Sequence, residues 1–212
     1  MHDPIITFLH IAIGSIGIIG GLVSLISLKG GPAHKRAGWV FIFGMVVSII
    51  TTFIFMTNEF LPLAIVMCIA SIYLMVSSIS AVRNRQSWSK VTDYLLLIFP
   101  LALFLFPSSN IIRSLPNVSM VTVGQSLISL IFLYCLVDDI LYLRNKQSRK
   151  VAHIGRHLFK MILAFTFAIM AVFRIGVKVD IINLEYTVIV PLIVGFIIAY
   201  RLKTGTPAIQ IT

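Results

Sequence analysis

Charged residues are scarce in this sequence, and acidic residues are scarcer still. Asp, Glu, Lys and Arg make up 11% of the 212 residues, and only seven residues are acidic. A soluble domain carries about a quarter charged residues because it needs a polar surface. The composition therefore excludes a soluble globular protein. The 58% of hydrophobic residues predict that a lipid bilayer is the solvent for most of the chain.

Recognisable catalytic motifs are lacking as well. The sequence has no nucleophile elbow, no His-Glu-x-x-His run and no phosphate-binding loop, so hydrolytic enzymes are the least favoured class. No acidic residue or lysine falls near the middle of an apolar segment, which disfavours a proton pump or a retinal protein. The two cysteines, Cys68 and Cys135, fall in different apolar segments, and we interpret them as buried side chains rather than a disulfide.

The apolar runs predict an all-α, polytopic helical bundle that forms one transmembrane domain, residues 1–212. Seven segments are each near the roughly 20 residues that a helix needs to cross a bilayer, and continuous apolarity over this length favours helices over barrel strands. Prolines inside the fourth and seventh segments, Pro100 and Pro191, predict kinks. The segments are Pro4–Leu28, Gly38–Thr57, Leu61–Val82, Val91–Phe106, Val121–Leu143, His157–Val177 and Leu184–Tyr200.

The positive charge of the chain predicts its orientation. The net charge of +10 is typical of nucleic-acid binding in other proteins, but here the cations cluster in short loops between apolar runs, which excludes that function. The loops after the first, third and fifth segments are basic, and the last of them holds the run from Arg144 to Arg156. The positive-inside rule then predicts an N-terminus outside and a C-terminus in the cytoplasm of a plasma or inner membrane.

Small residues form stripes along three of the predicted helices. Such residues let helix backbones approach closely inside a membrane. Each stripe has a histidine at or near one end, so we expect these histidines to face protein rather than lipid. The stripes are His10, Gly14, Gly17, Gly21 and Ser24; His34, Gly38, Phe41, Met45, Ser48 and Thr52; and His157, Met161, Ala164, Ala168 and Ala171.

The first candidate site lies at the predicted cytoplasmic helix ends. His153 and His157 are four residues apart, so they share one helix face, as two ligands of one metal must. With His34 and Asp139 they form a candidate transition-metal site. Alternatively, His34 and His157 are the axial ligands of a haem iron.

A simpler interpretation of the same residues stays open. Histidines and aspartates at helix ends are common interfacial residues that meet water and lipid headgroups. In that case Asp138 or Asp139 forms an ion pair with Lys160 of the sixth segment or with Arg156 just before it.

The second candidate site is an outer polar cluster of His10, Glu59 and Arg174, with Glu185 as a further member. An ionisable residue inside a membrane is a functional hypothesis by default. The alternative is that Arg174 pairs with a glutamate to lock helices together and that His10 bonds a backbone carbonyl.

A polar stripe on the fifth segment, Gln125, Ser129 and Asp139, either lines a polar path or supplies hydrogen bonds between helices.

Two parts of the sequence resemble a bacterial family of multi-pass membrane proteins without an established activity. The second helix of that family opens with a Lys-Gly, His-Arg, Gly, Phe and Met pattern, and here Lys29-Gly30-Gly31 is followed by His34, Arg36, Gly38, Phe41 and Met45. His157 and Met161 resemble the start of a later helix of the family. Ala171-Val172-Phe173 stands where the family has Thr-Ala-Phe. The resemblance implies importance for His34 and His157 and implies no particular activity.

Three functions remain compatible with the sequence. The first is a metal- or haem-binding membrane protein that uses His34 and His157. The second is a small-solute or ion transporter or channel, with the outer region of His10 and Arg174 as its gate. The third is a non-catalytic subunit, part of a homo-oligomer or a larger complex, whose basic loop from Arg144 to Lys150 docks a partner or anionic lipid.

Overall fold

The chain folds into helices that a computed structural model describes over residues 3–57, 62–83, 87–114, 119–144, 153–178 and 184–205. Within these ranges there are eight helices and no strands. The helices are α1 (Pro4–Ile26), α2 (Pro32–Met56), α3 (Pro62–Val82), α4 (Ser87–Leu96), α5 (Ile98–Ser114), α6 (Met120–Arg144), α7 (His153–Lys178) and α8 (Leu184–Gly205).

Seven stretches of the described chain are long and apolar enough to cross a membrane. Each of α1, α2, α3, α6, α7 and α8 supplies one stretch, and α4 and α5 together supply the stretch Val91–Ile112. This confirms the prediction of a seven-span helical membrane protein. The fourth predicted segment, Val91–Phe106, ends too early, because α5 continues through Pro107.

Two prolines have different effects on their helices. The fourth span is interrupted at Leu97, between α4 and α5. Pro100 explains the break, because it has no N–H to donate to the carbonyl of Leu96. In contrast, α8 continues through Pro191.

The chain divides into two compact units, Met1–Ser71 and Ile72–Thr212, and the boundary falls inside the continuous helix α3. The single domain that the sequence predicts stays a prediction. Cys68 belongs to the first unit and Cys135 to the second, and both are buried free thiols.

The first unit is built around the close antiparallel pairing of α1 and α2. Asp3 caps α1 by accepting a 2.8 Å hydrogen bond from the N–H of Ile5, as its position before a proline predicts. Gly17 and Gly44 let the two backbones touch, since a Cβ on Gly44 would lie only 2.6 Å from the Cα of Gly17. The stripe of small residues on α1 therefore packs against α2, as predicted.

The second unit has an aromatic core. The ring of Phe132 on α6 lies between Tyr73 of α3 and Phe167 of α7, with ring centroids 6.1 Å apart in both pairs. All three side chains are buried. This core joins the middle parts of α3, α6 and α7 and so positions the polar side chains described next.

Candidate functional site: a buried charged cluster

The second unit buries two basic side chains of α7 almost completely. Arg156 and Lys160 are one helical turn apart and therefore share a face of the helix. Their exposed fractions are 1% and 0%. Two carboxylates are equally buried, Asp139 on α6 and Asp93 on α4, at 1% and 2%. We call these four residues, with Tyr73 and Ser77 of α3, the charged cluster.

Lys160 lies at the centre of the charged cluster. Its ammonium donates to both carboxylate oxygens of Asp139, at 2.6 and 2.8 Å. It also donates to the hydroxyl of Tyr73 at 2.8 Å and to that of Ser77 at 2.7 Å. The Tyr73 hydroxyl in turn donates to Asp139 at 2.6 Å. This ammonium is therefore fully provided with hydrogen-bond acceptors.

Arg156 lies between the two carboxylates. Its Nη2 donates to Asp139 at 3.1 Å and to Ser77 at 3.0 Å, and its guanidinium stacks 4.0 Å from the ring centre of Tyr142. Its Nη1 lies 3.6 Å from Asp93, which is an ion pair without a hydrogen bond. Among the described residues, neither oxygen of Asp93 and neither Nε nor Nη1 of Arg156 has a hydrogen-bond partner.

Two cations and two carboxylates give the charged cluster a formal charge of zero. Burying an isolated charge is very unfavourable, and pairing offsets this cost only when the geometry is good. The Asp139–Lys160 half has such geometry, whereas the Asp93–Arg156 half does not. The cluster thus combines one tightly held pair with one weakly held pair.

The neighbouring carboxylate, Asp138, belongs to a separate ion pair. It accepts a hydrogen bond from Lys203 of α8, which also donates to the Tyr134 hydroxyl at 3.1 Å. The side chains of this pair are 16% and 20% exposed. Adjacent aspartates on α6 therefore face different surroundings, and the simpler sequence interpretation, in which an aspartate pairs with Lys160 or Arg156, is confirmed for Asp139.

Two histidines are held by serines in the same way. In the first unit, the Nδ1 of His34 lies 2.9 Å from the carbonyl oxygen and 3.0 Å from the hydroxyl of Ser24. In the second unit, the Nδ1 of His157 lies 3.3 Å from the carbonyl oxygen and 2.6 Å from the hydroxyl of Ser78. Each serine hydroxyl also donates to the carbonyl of its histidine at 3.3 Å.

This arrangement orients each ring, because its Nδ1 lies beside both the hydroxyl and the carbonyl oxygen of the same serine. Lys29, beside the first pair, donates to the Ser24 carbonyl at 3.3 Å, and partial desolvation lowers the pKa of its ammonium.

No three His, Cys, Asp or Glu side chains lie together as a metal site within the described part of the chain. The oxygens of Asp139 accept from Lys160, Arg156 and Tyr73. The metal site of His34, His153, His157 and Asp139, and the haem held by His34 and His157, stay predictions. His153 is the first residue of α7.

The outer polar cluster is only partly described. His10 lies inside α1 and its Nδ1 is 2.7 Å from the hydroxyl of Thr51 on α2. The Thr51 hydroxyl also donates to carbonyl oxygens of α2, at 2.9 and 3.0 Å. Glu59 and the side chains of Arg174 and Glu185 lie outside the described residues, and their pairing stays a prediction.

The polar stripe on α6 supplies hydrogen bonds between helices. Ser129 bonds the hydroxyl of Ser108 on α5 at 2.6 Å and donates to the carbonyl of Phe104 at 3.1 Å. This agrees with the second interpretation of the stripe, since serine commonly joins helices in this way.

Sequence reasoning missed three members of the charged cluster. Tyr73 and Ser77 are four residues apart on α3, and Asp93 stands near the start of the fourth span. Each was visible as a polar residue inside an apolar segment. Charge balance would have found Asp93, because Arg156 and Lys160 need two carboxylates and Asp139 supplies one; no such signal marks Tyr73 or Ser77.

No protein-family model matches the chain, and no match was found among curated proteins or solved structures. The resemblance to a bacterial membrane protein family therefore stays a prediction based on the residues quoted above. The seven apolar helices fit an integral, multi-pass membrane protein.

Proposed function

We propose that this membrane protein transports a small solute or ion and that the charged cluster is its gate. The observation that carries the proposal is the complete burial of four formal charges on α4, α6 and α7. Ionisable residues inside membrane spans mark substrate and ion pathways. Stability alone does not account for these buried charges, because replacing a buried ion pair by apolar side chains often leaves a protein equally stable or makes it more stable.

A gate needs a group with two alternative partners, and Arg156 has this property. It bonds Asp139 closely and lies 3.6 Å from Asp93. Asp93 belongs to α4, a ten-residue helix that is separated from α5 at Leu97. Discontinuous helices form the substrate and ion sites of many transporters. Rotation of α4 about Leu97 would withdraw Asp93 from Arg156 and open one end of the second unit.

Flux measurements in proteoliposomes test the proposal. The purified protein is assayed for proton, sodium, potassium and chloride flux and for uptake of labelled small solutes. We expect Asp139→Asn to change the rate at least tenfold because it unlocks the gate. The matched control is Asp138→Asn, which makes the same change one residue away in a different ion pair. Equal rates for the two variants would argue against the gate.

Thiol labelling separates a gate from a permanent lock without knowledge of the substrate. Ser77 is fully buried in the charged cluster. A Ser77→Cys variant should react slowly with a membrane-impermeant thiol reagent, at a rate that increases when Asp93→Asn removes the weaker ion pair. A permanent lock would leave Ser77→Cys unreactive in both backgrounds. The native cysteines, Cys68 and Cys135, are buried, and the labelling rate of the parent protein gives their contribution to the signal.

The serine–histidine pairs favour a second candidate function, the binding of a haem or transition metal. Metal-bound histidines commonly hold their other ring nitrogen against a carbonyl oxygen. The Nδ1 of His34 and that of His157 each lie beside a serine carbonyl oxygen, at 2.9 and 3.3 Å. A haem absorbance band or a stoichiometric metal that is lost in His34→Ala or His157→Ala would support this function. His10→Ala, whose ring bonds Thr51, is the control, and a colourless, metal-free, folded preparation would refute it.

The predicted orientation is part of the proposal. With the N-terminus outside, the first turns of α7 and the end of α6 lie at the cytoplasmic face of a plasma or inner membrane. The charged cluster would then be a cytoplasmic gate. The basic loop from Arg144 to Lys150 extends outside the described residues after Arg144, and its docking role stays a prediction.

A further inference from the structure

An apolar groove runs along one face of the paired helices α1 and α2. It has a volume of about 280 Å³ and opens to the surroundings of the protein. Its floor is formed by the small residues Gly20 and Ala37, and larger aliphatic side chains form its walls. The lining residues are Ile16, Ile19, Gly20, Val23, Ala37 and Val40.

The groove exists because the two backbones are close together at its floor. A Cβ on Gly20 would lie 3.0 Å from the carbonyl oxygen of Ala37 and 2.9 Å from the side chain of Val40. No side chain of α1 can therefore fill the depression between the helices. Because α1 and α2 are both apolar enough to span a membrane, the groove opens into the hydrocarbon region, and its occupant must be apolar.

One end of the groove is strongly basic. Arg36 precedes Val40 by four residues on α2, so it lies on the same face, about 6 Å further along the helix axis. Lys35 and Lys29 lie near it in the sequence, and all three side chains are exposed. Residues 4–57 contain no aspartate or glutamate, so nothing within this hairpin neutralises the three cations.

The position of these charges matches a membrane interface. Trp39 is 56% exposed in the first turns of α2, and exposed tryptophans concentrate at the headgroup level of bilayers. The basic end of the groove thus lies where headgroups are found, while Ile16, seven residues before Val23 on α1, lies about 10 Å deeper, among the acyl chains. A basic group near an anionic lipid surface gains about 1 kcal/mol.

We propose that the groove binds an acyl chain of an anionic phospholipid whose phosphate contacts Arg36. The apolar lining recognises the chain, and the guanidinium of Arg36 recognises the headgroup. This inference goes beyond the proposed transport function and does not depend on it. The lipid stabilises the α1–α2 pair by covering the floor at Gly20 and Ala37.

Native mass spectrometry of the full-length protein tests the site. The protein in mild detergent is titrated with phosphatidylglycerol and, separately, with phosphatidylcholine. We expect one phosphatidylglycerol per chain to bind more tightly than phosphatidylcholine. Arg36→Gln should weaken phosphatidylglycerol binding about fivefold, the effect of one basic group at an anionic surface, and leave phosphatidylcholine unchanged.

Two further variants separate the chain from the headgroup. Val40→Trp fills the groove from its wall and should weaken both lipids. Val46→Trp alters an exposed position of α2 that does not line the groove, and Arg201→Gln removes an exposed cation of α8. Both controls should bind as the parent protein does, and circular dichroism establishes that each variant is folded.

Three results would overturn the proposal. Equal affinity for the two lipids would remove the headgroup contact. Inorganic phosphate that displaces phosphatidylglycerol at similar concentration would show an anion site without a chain site. Efficient cross-linking of two chains through Val40→Cys in native membranes would show that a second copy occupies the groove.

Discussion

Replacing Asp139 by asparagine is the most informative perturbation of the charged cluster. The substitution keeps the size of the side chain and removes the charge that accepts two hydrogen bonds from Lys160, at 2.6 and 2.8 Å, and one from Arg156 at 3.1 Å. It leaves two buried cations against Asp93 alone. Removing one partner of a buried ion pair costs about 3–5 kcal/mol. We therefore expect Asp139→Asn to lower the free energy of unfolding by about this amount.

Charge balance predicts how a second substitution behaves. Lys160→Met combined with Asp139→Asn leaves Arg156 and Asp93 as a neutral pair. The double variant should therefore be more stable than the sum of the two single changes predicts, by about 2 kcal/mol or more. Asp138→Asn breaks only a partly exposed ion pair and should cost about 1 kcal/mol or less.

Reversible unfolding in mixed micelles of mild detergent and sodium dodecyl sulfate measures these free energies. Helicity by circular dichroism and a thiol-reactivity probe at the buried Cys135 report the transition independently. An Asp139→Asn protein within 1 kcal/mol of the parent would refute the reasoning. Strict additivity of the two substitutions would also refute it, because the charges would then not interact.

Three other substitutions test the packing of the helices. Gly44→Ala should destabilise the α1–α2 pair by about 1–3 kcal/mol, since the new Cβ would lie 2.6 Å from the Cα of Gly17; unchanged unfolding in mixed micelles would contradict the backbone contact. Ser78→Ala removes the hydroxyl that lies 2.6 Å from the Nδ1 of His157. It should lower the free energy of unfolding by about 1 kcal/mol and change the nitrogen chemical shifts of the His157 ring. An unchanged ring spectrum would contradict the hydrogen bond. Pro100→Ala restores a backbone donor and should slow amide hydrogen exchange where α4 meets α5; unchanged exchange would place the cause of the break elsewhere.

The fold was largely predictable from the sequence. Apolar runs separated by short basic loops set the number of spans, because length and composition alone decide whether a helix can cross a bilayer. The stripe from His10 to Ser24 correctly predicted the face of α1 that packs on α2, since only small residues permit such close contact. Pro100 correctly predicted a disturbed fourth span.

The composition of the charged cluster was less predictable. The pairing of Asp139 with Lys160 and Arg156 was one of the sequence interpretations, because they fall near the ends of consecutive predicted spans. The participation of Asp93 depends on how α4 is oriented after the break at Leu97, and no periodicity in the sequence determines this orientation. Tyr73 likewise shows no sign in the sequence that it faces a charge rather than lipid.

The serine–histidine pairs illustrate a different limit. His34 and Ser24 are ten residues apart in one hairpin, and their stripes already suggested that they face protein. His157 and Ser78 are 79 residues apart, and only the packing of α3 against α7 brings them together. The spacing of residues in the sequence does not predict a contact between residues this far apart along the chain.

Four charges are buried together inside the second unit of this seven-span membrane protein. Electron cryomicroscopy of the protein in lipid nanodiscs, at a resolution that shows side chains, would reveal their positions. The ammonium of Lys160 should contact Asp139, Tyr73 and Ser77, and Arg156 should lie between the two carboxylates. A map in which Lys160 or Arg156 points into lipid or into open water, away from Asp139, would contradict this arrangement.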